Sequence, residues 1–165
     1  MSKPIRYLVM DVDGTLTDGK IYMGANGELM KAFDIKDGYG IHDMLMPGGV
    51  EPVIITGRFS DILKNRCDEL GITNLFQGVK DKVARLQSFL DEQNGEMSEV
   101  AYIGDDLNDL ECIKIVRNEG GLTGSPFNAA REVRHAVNYK CKAKGGEGAV
   151  REFIEYILKK NDKIV

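Results

Sequence analysis

The run Tyr7-Leu8-Val9-Met10 passes without a polar break into Asp11-Val12-Asp13-Gly14-Thr15-Leu16-Thr17-Asp18-Gly19, and no other stretch restricts the fold as strongly. A short apolar run ended by a turn signal reads as a buried strand. Gly14 lets the chain turn sharply, so Asp11 and Asp13 both fall at the strand's C-terminal end. That end is where open α/β sheets bind their ligands. Two carboxylates held together in a crevice repel each other unless a cation or a proton separates them. The sequence therefore calls for a metal ion.

The rest of the chain supplies the remainder of such a sheet. Further strand candidates lie at 52–55, 100–103 and 121–123, and helix-like segments at about 40–45, 60–70, 80–93, 108–116 and 148–159. In the second of these helices Ile62, Leu63, Cys67 and Leu70 recur at helical spacing and bury one face, and Gly71 stops it. Alternation of this kind predicts a three-layer, Rossmann-like α/β fold, a parallel sheet with helices on both faces. One segment interrupts it. Residues 19–33 look like a β-hairpin with its turn near Gly24 to Gly27, projecting as a flap beside the acidic turn. No internal repeat, low-complexity tract or linker divides the 165 residues, so one domain over 1–165 is expected.

Composition removes several classes of partner. Lys and Arg number 22 against 26 Asp and Glu, a net charge of -4, so no basic excess exists to neutralise a nucleic-acid backbone. No apolar run approaches the roughly 20 residues that span a bilayer. Met1-Ser2-Lys3-Pro4 leads straight into the first strand and leaves no room for a signal peptide. Cys67, Cys112 and Cys141 are widely spaced with no CxxC pair, which predicts a reduced, cytoplasmic setting.

Four chemistry-bearing elements follow one another, each at or just beyond a predicted sheet edge. They are Asp11 with Asp13; Ile54-Ile55-Thr56-Gly57-Arg58; Lys82 near the start of a helix; and Tyr102-Ile103-Gly104-Asp105-Asp106-Leu107-Asn108-Asp109. Phosphoryl transfer needs an oxygen nucleophile, a proton source for the leaving group and positive charge on the equatorial oxygens. One carboxylate can serve as nucleophile and a second as acid and base. Magnesium takes oxygen ligands, usually one or two carboxylates with water and phosphate. A hydroxyl, a lysine and free backbone N–H groups can then hold phosphoryl oxygens. A calcium-loop reading fails, because Gly14 stands at the fourth position of the loop and not the sixth. His42 and His135 lack metal-ligand spacing. Lys80 rivals Lys82 by position, the Met44-Leu45-Met46 cluster reads as core or subunit interface, and Gly145-Gly146 reads as a flexible joint before the last helix.

Taken together, these four motifs resemble those of the haloacid dehalogenase superfamily of phosphohydrolases over nearly the whole chain. The resemblance implies Asp11 as nucleophile, Asp13 as general acid and base, and Thr56, Gly57 and Lys82 on the phosphoryl group. It implies magnesium on the side chains of Asp11 and Asp105 and the backbone carbonyl of Asp13, with Asn108 and Asp109 in support. The intervals 13–56 and 56–82 are too short to house an inserted cap domain.

Among capless members, Thr17-Asp18-Gly19, Phe33-Asp34-Ile35-Lys36-Asp37-Gly38-Tyr39-Gly40 and Gly145-Gly146-Glu147-Gly148-Ala149-Val150-Arg151-Glu152 are similar to one group. That group is the 3-deoxy-D-manno-octulosonate 8-phosphate phosphatases and their relatives acting on nine-carbon keto-sugar acid phosphates. The resemblance implies a homotetramer in which hairpins and C-terminal tails, here about 141–165, complete the neighbour's site. Arg58 matches the octulosonate branch, and its guanidinium can pair bidentately with a sugar-acid carboxylate. Arg66 would be a second such group, exchanged between subunits. Two positions depart from the octulosonate pattern: Glu147 stands where that branch has arginine and is closer to the nonulosonate branch, and Thr15 stands where valine is frequent. The expected reaction is magnesium-dependent hydrolysis of a keto-sugar acid phosphate, in first place the octulosonate. A nonulosonate 9-phosphate, a broad range of small phosphates, and a non-catalytic interaction module stay open as alternatives.

Overall fold

Strand β1, Tyr7–Met10, is buried along its whole length, as an apolar run with no polar face must be. It is the centre of a computed structural model that describes residues 2–162. Met1 and the last three positions of the predicted tail lie outside the described residues. After β1 come the hairpin strands β2 (Tyr22–Gly24) and β3 (Gly27–Met30), then helix α1 (Ile35–Tyr39), continued by a π-helical turn over Gly40–Leu45. The chain proceeds through β4 (Glu51–Ile55), α2 (Asp61–Leu70), β5 (Asn74–Phe76), α3 (Lys82–Gln93), β6 (Val100–Ile103) and α4 (Leu110–Asn118). It ends with β7 (Leu122–Ser125), α5 (Arg131–Ala136), β8 (Tyr139–Lys140) and α6 (Ala149–Lys160).

Six strands form one sheet in the order β5-β4-β1-β6-β7-β8, parallel throughout. Met10 of β1 is in register with Ile54 of β4 on one side and Ile103 of β6 on the other. From β1 the chain winds outward through β4 to β5, then returns to β6 and winds outward the other way. β1 is therefore the switch point, and the loops leaving β1, β4 and β6 share one crevice. The two-residue period of the strand divides the core. Leu8 and Met10 pack with the π-helical turn, α2 and α6, whereas Tyr7 and Val9 pack with α3, α4 and α5. The predicted three layers are present.

Local signals explain most boundaries. The Ser60 hydroxyl accepts the Leu63 N–H and starts α2 one residue later than predicted, and Gly71, at φ 75°, ends it. Asp81 caps α3 in the same way by accepting from Ala84 N, which makes Lys82 the first helical residue. The hairpin turns between Gly24 and Gly27 as expected. The helix expected at 108–116 is preceded by a 3₁₀ turn over Leu107–Asp109 and runs to Asn118. The two-residue β8 and six-residue α5 escape the sequence pattern, being too short for any periodicity to show. Helix α1 escapes too, because it has only five residues and Gly38 among them disfavours an isolated helix. Leu45 sits in the core with Met44 and Met46 packed against it. All three cysteines are buried free thiols. Among the described residues no helix is long and apolar enough to cross a membrane.

What holds α1 in place is a carboxylate. α6 has no side-chain cap of its own at Gly148. Asp37, from α1, supplies one instead: its Oδ1 accepts the Arg151 N–H at 2.9 Å, while Oδ2 is buried with no hydrogen-bond partner among the described residues. Burial, aided by the nearby Asp34 charge, pushes the Asp37 carboxyl up to about 6 against the hydrogen bond from Arg151. The folded protein therefore binds this proton more tightly than the unfolded chain. The stability it contributes is complete below the ordinary carboxylate value and is lost as pH rises through about 6. Asp37→Asn keeps an acceptor for Arg151 N without the buried charge. It should gain stability relative to the parent as pH goes from 5 to 8, by about 1.4 kcal/mol, in urea unfolding at both pH values. A difference independent of pH would show that Asp37 keeps its charge at no cost.

Candidate active site

The three strands at the centre of the sheet deliver their C-terminal loops to one place. Asp11, Asp13, Thr56, Gly57, Arg58, Asp105, Asp106 and Asn108 line a cleft of about 150 Å³. Asp11 is fixed to the sheet by its N–H, which donates to Ile103 O at 3.2 Å. Gly14 is required here for two reasons. Its φ is +90°, and a Cβ would overlap the Asp105 carboxylate, so only a bare backbone lets the β1 and β6 loops approach.

Behind the cleft lies a buried charge cluster. The ammonium of Lys82 is 3.0 Å from Asp11 Oδ1 and 2.9 Å from Asp109 Oδ1. Asp109 Oδ1 also accepts from Tyr102 OH at 2.7 Å, and its Oδ2 accepts the N–H groups of Asp105 and Asp106 at 3.1 and 3.4 Å. Asp11, Asp105 and Asp109 each offer a carboxylate oxygen within 4.8 Å of the others. Asp109 is fully buried and bonded to protein donors through both oxygens, so it braces the cluster. Acceptor capacity remains on Asp11 and Asp105. Among the described residues, the latter receives one side-chain hydrogen bond, from Thr15 Oγ1 at 3.2 Å.

Three carboxylates facing one ammonium leave two negative charges in a desolvated pocket. Burial first, and then the neighbouring Asp109 charge, push Asp11 up to about 6. Burial and the Asp11 charge push Asp105 up to about 8. Lys82 moves the other way from what burial alone dictates: Asp11 and Asp109 outweigh the desolvation and raise it, so it stays charged. Carboxylates that resist ionisation together while holding free lone pairs fit a hard divalent cation, which would remove the repulsion.

The predicted site residues separate into those gathered here and those that are not. Asp11, Asp13, Thr56, Gly57, Arg58, Asp105 and Asn108 line the cleft; Lys82 and Asp109 stand directly behind it. Lys80, the rival of Lys82, is exposed. Arg66 does not reach the cleft of its own chain. It pairs with Glu69 at 3.0 Å, lies over the Phe33 ring and lines a separate narrow crevice with Leu16, Asp37 and Gly38. Sequence reading missed two hairpin residues. Lys31 Nζ lies 2.8 Å from Asp13 Oδ1 and 3.0 Å from Glu28 Oε2, and Glu28 also meets Ser60 Oγ at 2.7 Å and Arg58 at 3.4 Å. Charges on a hairpin ordinarily read as a solvated face, so no sequence signal marked them.

The flexible-joint reading of Gly145-Gly146 is overturned. Gly146 N donates to Thr15 O at 3.2 Å and Gly145 N to Asn128 Oδ1 at 3.1 Å. A Cβ on Gly145 would overlap the carbonyl of Gly14. From the far side, Glu152 accepts the N–H groups of Lys142 and Ala143 and clamps the segment. The two glycines let the tail lie backbone against backbone on the acidic turn.

Several known proteins resemble this chain along most of its length. No protein-family model matches the chain. It is 42% identical over 160 residues to 3-deoxy-D-manno-octulosonate 8-phosphate phosphatase KdsC of Yersinia pestis, covering 97% of this chain and 83% of that protein. It is 41% identical to KdsC of Escherichia coli K12, covering 97% and 82%. The crystal structure of 3-deoxy-D-manno-octulosonate 8-phosphate phosphatase from Moraxella catarrhalis, in complex with magnesium ion, phosphate ion and a KDO molecule, superposes with a TM-score of 0.89 at 40% identity, over 96% of this chain and 88% of that one. A Legionella pneumophila protein assigned to the HAD superfamily, subfamily III A, gives 0.89 at 35% identity, over 98% and 86%.

The backbone contact of the tail has a direct consequence. Gly145→Ala should force the tail off the acidic turn and destabilise the protein by about 1–3 kcal/mol, measured by urea unfolding. An unchanged midpoint would mean that the segment lifts away freely.

Proposed function

Because the chain belongs to the 3-deoxy-D-manno-octulosonate 8-phosphate phosphatase family of the haloacid dehalogenase superfamily, we propose that it is a magnesium-dependent phosphomonoesterase that hydrolyses the phosphate ester of an acidic keto-sugar, 3-deoxy-D-manno-octulosonate 8-phosphate in first place. The observation that carries the reading is the cleft at the switch point, where Asp11, Asp13 and Asp105 converge in front of a buried Lys82.

In this reading an Asp11 oxygen attacks phosphorus and the bond from phosphorus to the sugar oxygen breaks. The proton of Asp13 passes to that oxygen, releasing the sugar as an alcohol. Water then attacks the aspartyl-phosphate, Asp13 takes its proton, and the bond to Asp11 breaks to give inorganic phosphate and the original carboxylate. Thr56, Gly57 and Lys82 hold the phosphoryl oxygens, and the contact of Lys82 with Asp11 supports this by putting a cation beside the nucleophile. Magnesium, held by the Asp11 and Asp105 side chains and the Asp13 carbonyl, supplies charge neutralisation and polarises the phosphoryl group. Asn108 and Asp109 support the loop, the latter through its bonds to Lys82 and Tyr102.

Arg58, half-exposed at the mouth of the cleft, is the candidate partner for the sugar carboxylate. Arg66, outside its own cleft, acts in this reading across a subunit boundary. The working unit is one capless domain, with residues 19–33 as a flap and about 141–165 as a tail, assembled as a homotetramer. The exposed apolar residues Met23, Leu29 and Met30 of the hairpin support assembly, since such a patch seeks a partner. Three unpaired thiols support a cytoplasmic setting. Glu147 favours a nonulosonate 9-phosphate as the second candidate substrate.

The deciding experiment measures phosphate release, with and without magnesium, from 3-deoxy-D-manno-octulosonate 8-phosphate, nine-carbon sugar-acid 9-phosphates and neutral hexose 6-phosphates. A magnesium-dependent preference for the octulosonate ester is expected; flat activity would mark a generalist. Asp11→Asn should lower turnover by at least about 10³-fold while the protein stays folded. Asp13→Asn should lower it by about 10²–10⁴-fold. Ordinary turnover by Asp11→Asn would sink the assignment.

A further inference from the structure

We propose that Lys31, backed by Glu28, is a positioning residue for Asp13, so that the hairpin sets the orientation of the acid and base as well as covering the cleft. The inference rests on the role given to Asp13 above. Lys31 directly follows β3 and its side chain is only 4% exposed, although it sits on a two-stranded hairpin outside the main sheet. A lysine so buried needs compensating charge. It has two partners, Asp13 Oδ1 at 2.8 Å and Glu28 Oε2 at 3.0 Å.

The other end of this chain of contacts is anchored to the scaffold. Glu28 Oε1 accepts from Ser60 Oγ at 2.7 Å. Ser60 is itself fixed, since its hydroxyl caps α2 and its N–H donates to Gln77 Oε1 at 2.8 Å. The cap of a core helix thus holds Glu28, Glu28 holds Lys31, and Lys31 holds one oxygen of Asp13. Among the described residues, Lys31 is the sole hydrogen-bond donor to the Asp13 side chain. With Oδ1 held by Lys31, rotation of the carboxyl is restricted, and Oδ2 is the oxygen left for proton transfer in the cleft that Asp13 lines. Proton transfer requires the two heavy atoms within about 2.6–3.2 Å, which a freely rotating carboxyl meets only part of the time. A solvated surface ion pair would contribute little. This one is shielded on both sides and ends on the group that moves the proton.

The test uses the dependence on leaving group. A sugar alkoxide needs a proton as it departs; p-nitrophenolate does not. Lys31→Met keeps the apolar stem and removes the ammonium. It should lower kcat on 3-deoxy-D-manno-octulosonate 8-phosphate by about tenfold or more with little change in KM, and on p-nitrophenyl phosphate by less than about threefold. Lys31→Arg should recover part of the loss. In an Asp13→Asn background, Lys31→Met should cost nothing further, because both changes remove one function. Equal losses on the two substrates, or a full additional loss in the Asp13→Asn background, would reduce Lys31 to a structural ion pair and overturn the proposal. Selective loss in Asp13→Asn alone, with Lys31→Met unaffected, would overturn it and leave the Asp13 assignment standing. Full sugar-phosphate turnover by Asp13→Asn would remove that assignment itself. Glu28→Gln should show the same selective loss at smaller size, which decides the matter even where Lys31→Met fails to fold.

Discussion

A lysine buried between two aspartates sets the terms for the whole molecule. Lys82 touches Asp11 and Asp109 where neither carboxylate is exposed to much water, and buried charges are tolerated only where they are closely paired. That requirement reaches into every layer. The Asp81 cap must begin α3 at the residue that bears the ammonium. Tyr102 must point its hydroxyl from β6 into the cluster, and the loop after β6 must turn two N–H groups onto Asp109. β1 must run fully buried so that Asp11 emerges at the edge where β4 and β6 flank it. The switch point of the sheet is the one location where these elements meet, which is why the same geometry serves both fold and chemistry.

How legible this was from the chain depends on whether a feature is local. Tyr7–Met10 and Val100–Ile103 announce themselves because they are buried on both faces and end in acidic turns. The motif residues could be placed at one sheet edge because each lies immediately beyond an apolar run. Position along the chain leaves Lys80 a near rival of Lys82, and it is the cap at Asp81 that makes Lys82 the first, buried residue of α3. Features that depend on distant partners stayed hidden. Nothing near Asp37 in sequence says that it caps a helix 114 positions away. Gly145-Gly146 has the composition of a joint, and only the carbonyl of Gly14 lying against it reveals a close contact. Glu28 and Lys31 have the composition of an ordinary solvated hairpin, and Arg66 lies on a helix face that could have turned toward the cleft but packs on Phe33.

Two segments remote from the sheet close on the acidic turn from different directions. The hairpin arrives through Lys31 on Asp13, and the tail arrives through the backbone of Gly145 and Gly146 on Gly14 to Asp18. The elements that follow them are joined to each other, since Asp37 in α1 caps α6. α6 is itself firmly seated: Val150, Phe153, Ile154 and Ile157 are fully buried, at about 1.5–3 kcal/mol for each large side chain. The acidic turn is therefore held against three supports, the sheet below it and a charged and a glycine contact above. A substitution in the tail or the hairpin foot therefore reaches the acidic turn.

Glu28 shows how such a turn can be rigid and still receive an anionic substrate. It makes two kinds of contact. Its bonds to Lys31 and Ser60 are short and shielded, whereas its contact with Arg58 is 3.4 Å long and the arginine is 43% exposed. Exposed, long ion pairs contribute roughly 0–1 kcal/mol, and a bidentate carboxylate on a guanidinium is stronger than one stretched bond. A ligand carboxylate arriving at the mouth of the cleft can therefore take Arg58 from Glu28 at little cost. Glu28 then keeps its two better partners, and Lys31 keeps its grip on Asp13. In the proposed reading, recognition at Arg58 and proton transfer at Asp13 would share one glutamate, and the unequal strength of its contacts would let the first change while the second stays fixed.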